Sequence, residues 1–196
     1  MARGWNHNVQ YHRLVLDAVP ARARTALDAG TGDGLLAADL RDRVEHVTAI
    51  DVDAGVLDRA RPSRSDVDWV AGDVMTHALP AAPFDVVASI ATVHHLPDLG
   101  TALRRLGELT APGGVLVVIG CARSAGPADF AMDVVGAVQH RVYSRTRGWW
   151  EHTAPVRLDF PHTYAQVRAI AATALPGVRW RRLPLFRYAL TWSAPA

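Results

Sequence analysis

The stretch Ala26-Leu27-Asp28-Ala29-Gly30-Thr31-Gly32-Asp33-Gly34 decides the fold of this 196-residue chain. The apolar run from Thr25 to Ala29 predicts a buried strand, and the glycines at alternate positions predict the sharp turn that ends it. The apolar residues after Gly34 predict a helix, whose first N–H groups lack intrahelical partners and point back at the turn. A strand, a bare turn and a helix N-terminus together predict a pocket for a nucleotide cofactor.

The same stretch indicates which nucleotide this pocket takes. A dinucleotide fingerprint has a third glycine three residues after the second, and Leu35 stands there instead. Asp28 comes two residues before Gly30, and its carboxylate suits a cationic, amine-bearing ligand while it would repel a pyrophosphate. The alternative is an ordinary strand–turn–helix corner whose glycines bind nothing.

The acidic-x-Gly-x-Gly-x-Gly form of this stretch resembles the first motif of the class I S-adenosylmethionine (SAM) dependent methyltransferases. The resemblance implies SAM as the cofactor, with its methionine end held by the acid and by the backbone that follows. The residues expected in this part of the cofactor site are Asp28, Ala29, Gly30, Thr31, Gly32 and Gly34.

The composition of the chain indicates a globular protein of one domain and bears on its location. A content of 49% hydrophobic and 20% charged residues indicates a globular chain, and its length fits one α/β domain. The run from Val115 to Ile119 is too short to span a bilayer, and the N-terminus lacks the apolar core of a signal peptide. The single cysteine, Cys121, cannot form an internal disulfide, so we expect a cytoplasmic protein.

The charged residues are unusual in type and in placement. All 21 basic residues are arginine, which excludes Schiff-base chemistry and phosphate loops that need a lysine. Residues 1–120 carry a net charge of −4, and residues 121–196 carry +6. A basic tail suits an acidic substrate or a nucleic acid, but the arginines do not interleave with aromatics as in a nucleic-acid surface. We therefore expect a small-molecule acceptor, no nucleic acid and no membrane, in a monomer or a homodimer.

Residues 1–24 precede the first strand. A helix is predicted from Arg13 to Val19, and Pro20 ends it. This segment is either a surface helix on the sheet edge or a cap that presents Tyr11 or His12 to the bound ligand. Small methyltransferases often have such a leading cap, which the resemblance implies here.

A second strand is predicted to end at Asp51, which lies 21 residues after Gly30. This is the spacing at which a carboxylate at a strand end meets a ribose diol. We expect Asp51 to bind the ribose and Val52 to lie against the adenine. Asp53 is expected to cap the helix from Ala54 to Ala60.

A third strand is predicted between Val67 and Met75, and it ends in a Gly-Asp pair. In SAM methyltransferases the corresponding acid meets the adenine amino group and the next apolar residue lies under the ring. The resemblance gives these roles to Asp73 and to Val74 or Met75. The alternative is that Asp73 only shapes a turn.

The fourth predicted strand, Pro83 to Ile90, leads into the loop Ala91-Thr92-Val93-His94-His95-Leu96-Pro97-Asp98. This loop leaves the carboxyl end of a central strand, where α/β sheets bind their ligands, and Ile90 is included in the expected cofactor site. The string His-His-Leu-Pro-Asp resembles the ubiquinone/menaquinone-biosynthesis type of small-molecule methyltransferase. A turn at Ala111–Gly114 and a fifth strand at Val115–Ile119 follow in that family's order.

An acceptor hydroxyl or ammonium must lose a proton, and histidine is the side chain suited to take it near neutral pH. The candidates for direct catalysis are His94 and His95 in the loop, and Tyr11 and His12 in the cap. A loop histidine that only makes structural hydrogen bonds is the alternative. We expect no metal site, because the strand-end acids are already assigned and no His-x-x-x-His pair or acidic cluster remains in the tail.

The resemblance weakens after Gly120. Residues 121–161 contain a predicted helix around Phe130 to Arg141 and then Tyr143, Trp149, Trp150 and His152 among arginines. This insert is either a lid over the substrate or peripheral packing. Residues 162–196 are predicted to hold a helix from Thr163 to Ala174 and two strands, Val178–Leu183 and Arg187–Ser193.

These elements together predict an α/β, Rossmann-like three-layer sandwich with a seven-stranded, mostly parallel sheet and an antiparallel C-terminal strand. We expect one methyltransferase domain over 1–196: a cap (1–24), a SAM-binding core (25–120), a lid (121–161) and a closing helix and hairpin (162–196). The expected reaction is in-line transfer of the SAM methyl group to an O, N or C nucleophile. A non-catalytic SAM-binding module and a nicotinamide oxidoreductase are the alternatives, and Leu35 argues against the latter.

Overall fold

A computed structural model describes residues 5–79, 83–150 and 159–196. Its centre is a seven-stranded sheet in the order β3-β2-β1-β4-β5-β7-β6. The strands are β1 (Thr25–Ala29), β2 (His46–Asp51), β3 (Asp68–Ala71), β4 (Phe84–Ile90), β5 (Thr110–Gly120), β6 (Arg179–Leu183) and β7 (Arg187–Ser193). Only β7 runs antiparallel to its neighbours, β5 and β6, within this sheet. The predicted sheet is confirmed.

Helices cover both faces of the sheet. They are α1 (His12–Leu16), α2 (Leu35–Arg41), α3 (Ala54–Ala60), α4 (Leu99–Glu108), α5 (Pro127–Thr146) and α6 (Tyr164–Ala174), with 3-10 turns at Val9–Tyr11, Arg61–Ser63 and Val93–His95. None of the described helices is both long and apolar enough to cross a bilayer.

Neighbouring residues of β1 enter two different cores. Leu27 packs with Leu103 of α4 and Val167 of α6 on one face, whereas Ala26 packs with Val15 of α1 and its neighbours on the other. Successive side chains of a strand point to opposite faces, so a strand that is apolar at every position is buried on both. This is why β1, which places Ala26 in one core and Leu27 in the other, is a central strand of a three-layer sandwich.

Strand β5 begins earlier than predicted. The residues Ala111–Gly114, predicted as a turn before the strand, lie within β5 as an irregularity. Phe84 of β4 pairs with Thr110 of β5, but Val86 pairs with Val115. The register between the two strands therefore shifts, and four residues of β5 have no partner in β4. The turn-forming composition therefore gives a bulge inside a strand instead of a boundary.

The three-residue link Pro184–Phe186 between β6 and β7 has an unusual backbone. Leu185 and Phe186 have φ angles of 53° and 61°, in the left-handed region that side chains other than glycine rarely adopt. Two donors fix the link. The hydroxyl of Tyr11 donates to the carbonyl of Pro184, and one amino group of Arg182 donates to the carbonyls of Leu183 and Arg187.

Helix α5 lies directly on this link. Its one buried residue is Gly136, and a Cβ there would lie 2.9 Å from the backbone nitrogen of Leu185. The carboxylate of Asp133, one turn earlier, accepts a hydrogen bond from Arg182 at 2.7 Å. The absent side chain of Gly136 thus lets helix and hairpin approach closely, and this fixes α5 beside the carboxyl edge of the sheet.

Candidate active site

One large cavity opens at the carboxyl ends of the central strands. Its volume is about 1150 Å³, and residues from β1, β2 and the loop after β3 line one side of it. Residues from the N-terminal segment, α5 and the β6–β7 link line the other side. Single-ligand pockets generally hold about 300–1,000 Å³, so this cavity is at the large end of the usual range.

The glycine turn after β1 follows the predicted course. Gly30, Gly32 and Gly34 all have positive φ angles, of 74°, 53° and 71°. A Cβ on Gly30 would lie 2.2 Å from the Thr92 side chain, and one on Gly34 would lie 2.3 Å from Trp69. Only at Gly32 is this space open, with no atom within 4 Å. The turn therefore presents a bare surface to the cavity at Gly32, while its outer glycines are needed for packing inside the protein.

Asp28 lies at the floor of the cavity and is 2% exposed. It accepts a hydrogen bond from the Thr31 hydroxyl at 2.6 Å. Burial raises the pKa of Asp28 to about 6, although the Thr31 hydrogen bond and the charge of His12 oppose this effect. A cationic group bound beside it would restore the charged form.

Asp51, at the end of β2, uses one lone pair on each carboxylate oxygen to shape the site. Oδ2 accepts from the backbone N–H of Gly32 at 2.9 Å, and Oδ1 accepts from that of Asp53 at 3.0 Å. Each oxygen retains a second acceptor position, which is the arrangement that a pair of vicinal hydroxyls requires. Next to it, Val52 is 73% exposed at the cavity. Asp53 caps α3 by accepting from Gly55 and Val56, as predicted.

The remaining residues of the expected cofactor site differ in placement. Asp73 lines the cavity, and its side chain also accepts from the Met75 backbone at 2.9 Å, so it shapes a turn as well. Val74 and Ile90 line the cavity too. Ala29 and Gly34 do not: Ala29 is buried in the core, and Gly34 faces Trp69.

Tyr11 and His12 are neighbours in the chain but serve different places. His12 lines the cavity, is 7% exposed, and its Nδ1 lies 2.6 Å from a carboxylate oxygen of Asp39 on α2. Tyr11 does not line the cavity, because its hydroxyl donates to the carbonyl of Pro184 in the hairpin link. Burial raises the pKa of Tyr11 to about 12. The structure thus brings His12 to the site and gives Tyr11 a supporting position behind it.

His94 and His95 lie on the 3-10 turn after β4, and both line the cavity. Their ring centroids are 4.2 Å apart, and the His94 ring meets the edge of Phe160 at 5.3 Å. In the parts of the chain that the structure covers, no three His, Cys, Asp or Glu side chains come together as a metal site would require.

The wall of the cavity opposite β1 and β2 was predicted only in part from the sequence. Trp149 and Trp150 were expected near a substrate, and both line it, whereas His152 lies outside the described residues. Asn6 and Asn8 belong to the segment expected as a cap (1–24), and Phe130 and Phe160 to the insert expected as a lid (121–161). The members of this wall that lie outside both segments are Tyr164, Phe186 and Arg187. No local pattern in the sequence marks these three as a group.

Comparison with known proteins shows which proteins this chain is similar to. A family model described as a methyltransferase domain matches residues 27–118. The chain is 41% identical, over the full length of both proteins, to an uncharacterized methyltransferase of Mycobacterium tuberculosis. It is 29% identical to the malonyl-[acyl-carrier protein] O-methyltransferase of Pseudescherichia vulneris, over 86% of this chain and 74% of that one.

Among solved structures, the fold matches the N-methyltransferase NodS from Bradyrhizobium japonicum in complex with S-adenosyl-L-homocysteine (SAH). The TM-score is 0.62, and the match covers 96% of this chain and 87% of NodS. At 19% identity this similarity concerns the fold alone.

Proposed function

The chain belongs to the class I SAM-dependent methyltransferases, with SAM as its cofactor, and we propose that it methylates an O, N or C nucleophile of a small organic molecule. The observation that carries this proposal is the two-sided cavity. One side has carboxylates at the ends of adjacent strands, and the other is lined by aromatic side chains and histidines. Such a division suits one polar, cationic ligand and one more apolar ligand bound against each other.

We assign the cofactor to the side formed by β1, β2 and the loop after β3. Asp28 would pair with the methionine amino group, because a carboxylate is costly to ionise when it is buried and a bound cation offsets that cost. Asp51 would accept from the two ribose hydroxyls, while Asp73 accepts from the adenine amino group. Val52 and Val74 would lie against the adenine ring. The open space at Gly32 allows the cofactor to approach the backbone closely.

The sulfonium of SAM supplies an activated methyl group, so the protein's main contribution is to position the acceptor in line with it. Holding two reactants in a productive orientation can lower a barrier by roughly 7–11 kcal/mol. The loop with His94 and His95 lies between the two sides of the cavity and is placed to orient the acceptor.

A histidine would remove the proton where the acceptor is a hydroxyl or an ammonium group. His94, His95 and His12 are the candidates. His12 has the geometry of an oriented base, because Asp39 holds its Nδ1 at 2.6 Å and thereby favours the tautomer with a free Nε2 lone pair. The O-methyltransferase relative favours oxygen as the methylated atom.

We assign the acceptor side of the cavity to the cap (1–24) and to the insert (121–161). Residues 1–196 would then act as one domain in the cytoplasm, with the cap, the insert and the closing hairpin around one core. The contacts of Tyr11 with the hairpin link and of α5 with the same link support this organisation.

Two measurements test the proposal. Titration calorimetry with SAM and SAH should give saturable one-to-one binding in the micromolar range. Asp51→Ala should weaken this binding roughly 100-fold, and Asp58→Ala, at an exposed acid on α3, should leave it intact. Transfer of radiolabelled methyl from SAM to a panel of phenols, amines and carboxylic acids should then give a labelled product. Binding without transfer to any acceptor would indicate a SAM-binding module, and absence of binding would end the proposal.

A further inference from the structure

Two arginines of the β6–β7 hairpin differ sharply in how their charges are balanced. Arg182 pairs with Asp133 at 2.7 Å and lies 4.0 Å from Asp129. Arg187 lines the cavity and forms no ion pair with a carboxylate of any described residue. One of its amino groups donates to the side-chain oxygen of Asn8 at 3.0 Å, and Asn8 is neutral.

The Nε–H of Arg187 is buried and has no hydrogen-bond acceptor within 5–79, 83–150 and 159–196. The guanidinium is within hydrogen-bonding reach of the Cys121 thiol, but its titratable neighbours do not neutralise its charge. Burial raises the pKa of the Cys121 thiol and of the Tyr11 and Tyr164 hydroxyls, so all three are uncharged near neutral pH. A half-buried cation whose Nε–H is buried without an acceptor, and which has no counter-ion, is costly unless a ligand supplies an anion.

The strand order separates the backbone of Arg187 from a cofactor that lies over β1. Strand β7 is three positions away from β1 in the sheet, through β4 and β5, which is roughly 14 Å at the usual strand spacing. Arg187 therefore faces the acceptor side of the cavity. Its neighbours there include Phe186, and Phe130, Phe160, Trp149 and Trp150 complete an apolar wall.

We propose that the methyl acceptor is an organic acid with an apolar body, whose carboxylate pairs with Arg187. The guanidinium offers Nε–H and an amino N–H in the fork geometry that a carboxylate accepts with both oxygens. The aromatic wall receives the hydrocarbon part. This inference rests on the proposed function, and it adds the chemical class of the acceptor.

The test uses protein saturated with SAH, whose binding is first confirmed by calorimetry. Benzoate and hexanoate are titrated into this complex and compared with benzamide and hexanamide, which match them in shape but lack the charge. We expect the wild-type complex to bind at least one acid ten-fold or more tightly than its amide. Arg187→Gln should remove this preference and leave SAH affinity within two-fold.

Two further variants distinguish a binding role from an effect of net charge or folding. Arg181→Gln removes the same charge from the neighbouring strand, outside the cavity lining, and should keep the preference. Asn8→Asp retains the arginine but places a carboxylate beside it, and should remove the preference by supplying the counter-ion internally. Acids that bind no better than amides to the wild-type complex, or a preference that survives both Arg187→Gln and Asn8→Asp, would overturn the inference. Failure of SAH to bind would instead contradict the proposed function.

Discussion

The two sides of the cavity are built in different ways. On the cofactor side, Asp28, Asp51 and Asp73 stand at or just after the ends of adjacent parallel strands, and the sheet itself brings them together. On the acceptor side, Phe130, Phe160 and Arg187 come from segments that meet only through tertiary packing. The cofactor side is thus fixed by the core of the fold, and the acceptor side depends on a few contacts between distant parts of the chain.

The largest expected effect is on stability, and it distinguishes Gly30 from Gly32 within the glycine turn. Gly30→Ala places a methyl group against Thr92 at a positive φ and should lower the free energy of unfolding by about 3 kcal/mol. Gly32→Ala meets open space and should cost only about 1 kcal/mol, from its left-handed backbone. Urea denaturation measures both. Equal losses would show that the two positions are not packed differently.

Asp51→Ala should weaken SAM binding roughly 100-fold, because a carboxylate that accepts two hydroxyls contributes about two charge-assisted hydrogen bonds. It should not alter the discrimination between acid and amide on the acceptor side. Calorimetry with SAM, with Asp58→Ala as the matched control, checks the first effect. A loss below five-fold would remove Asp51 from the ribose contact.

Protonation of Asp28 should make SAM binding depend on pH. Its folded-state pKa of about 6 means that only a minor fraction is ionised at pH 5 and most is ionised at pH 7, so affinity should rise about ten-fold over this range. Stability of the free protein has the opposite dependence. Since burial raises this pKa from 3.8, folding stability is lost as pH rises from about 4 to about 6.

Calorimetry at pH 5, 6 and 7 measures this dependence, with Asp28→Asn as the control that should show little change. His12 and Asp51 also act on Asp28, so the same series in His12→Gln shows how much of the dependence belongs to the histidine. An unchanged slope in Asp28→Asn would assign the titration elsewhere.

Tyr11→Phe should have the smallest effect and test the acceptor side alone. Losing the hydrogen bond to Pro184 should lower stability by about 1 kcal/mol while SAM affinity stays within two-fold. Tyr143→Phe, at a tyrosine whose ring packs on Trp5, is the control and should cost less. A Tyr11→Phe protein of full stability but without methyl transfer would return Tyr11 to a catalytic role.

Sequence patterns predicted the cofactor side well for a physical reason. Each of its acids follows an apolar strand, and parallel strands end at one edge, so linear order determines spatial neighbourhood. The same patterns could not separate Tyr11 from His12. Helix α1 begins at His12 and is five residues long, and in so short a helix the tertiary contacts decide which residue faces the cavity.

The charge of Arg187 was equally beyond prediction from the sequence. It was one of ten arginines in the basic tail, most naturally interpreted as solvated. It donates a hydrogen bond to Asn8, which lies 179 positions away in the chain. A hydrogen bond between residues so far apart in the chain leaves no pattern in the local sequence. The absence of a counter-ion leaves none either.

The left-handed link between β6 and β7 has a consequence for how such enzymes diverge. Tyr11 and Gly136 contact the link, Arg182 bonds to the residues on either side of it, and Phe186 and the adjoining Arg187 line the cavity. A change in the link is tolerated only if its supports change too, so descendants of this chain should exchange these positions as a linked set. Acceptor choice would then evolve in steps, while the cofactor half drifts independently.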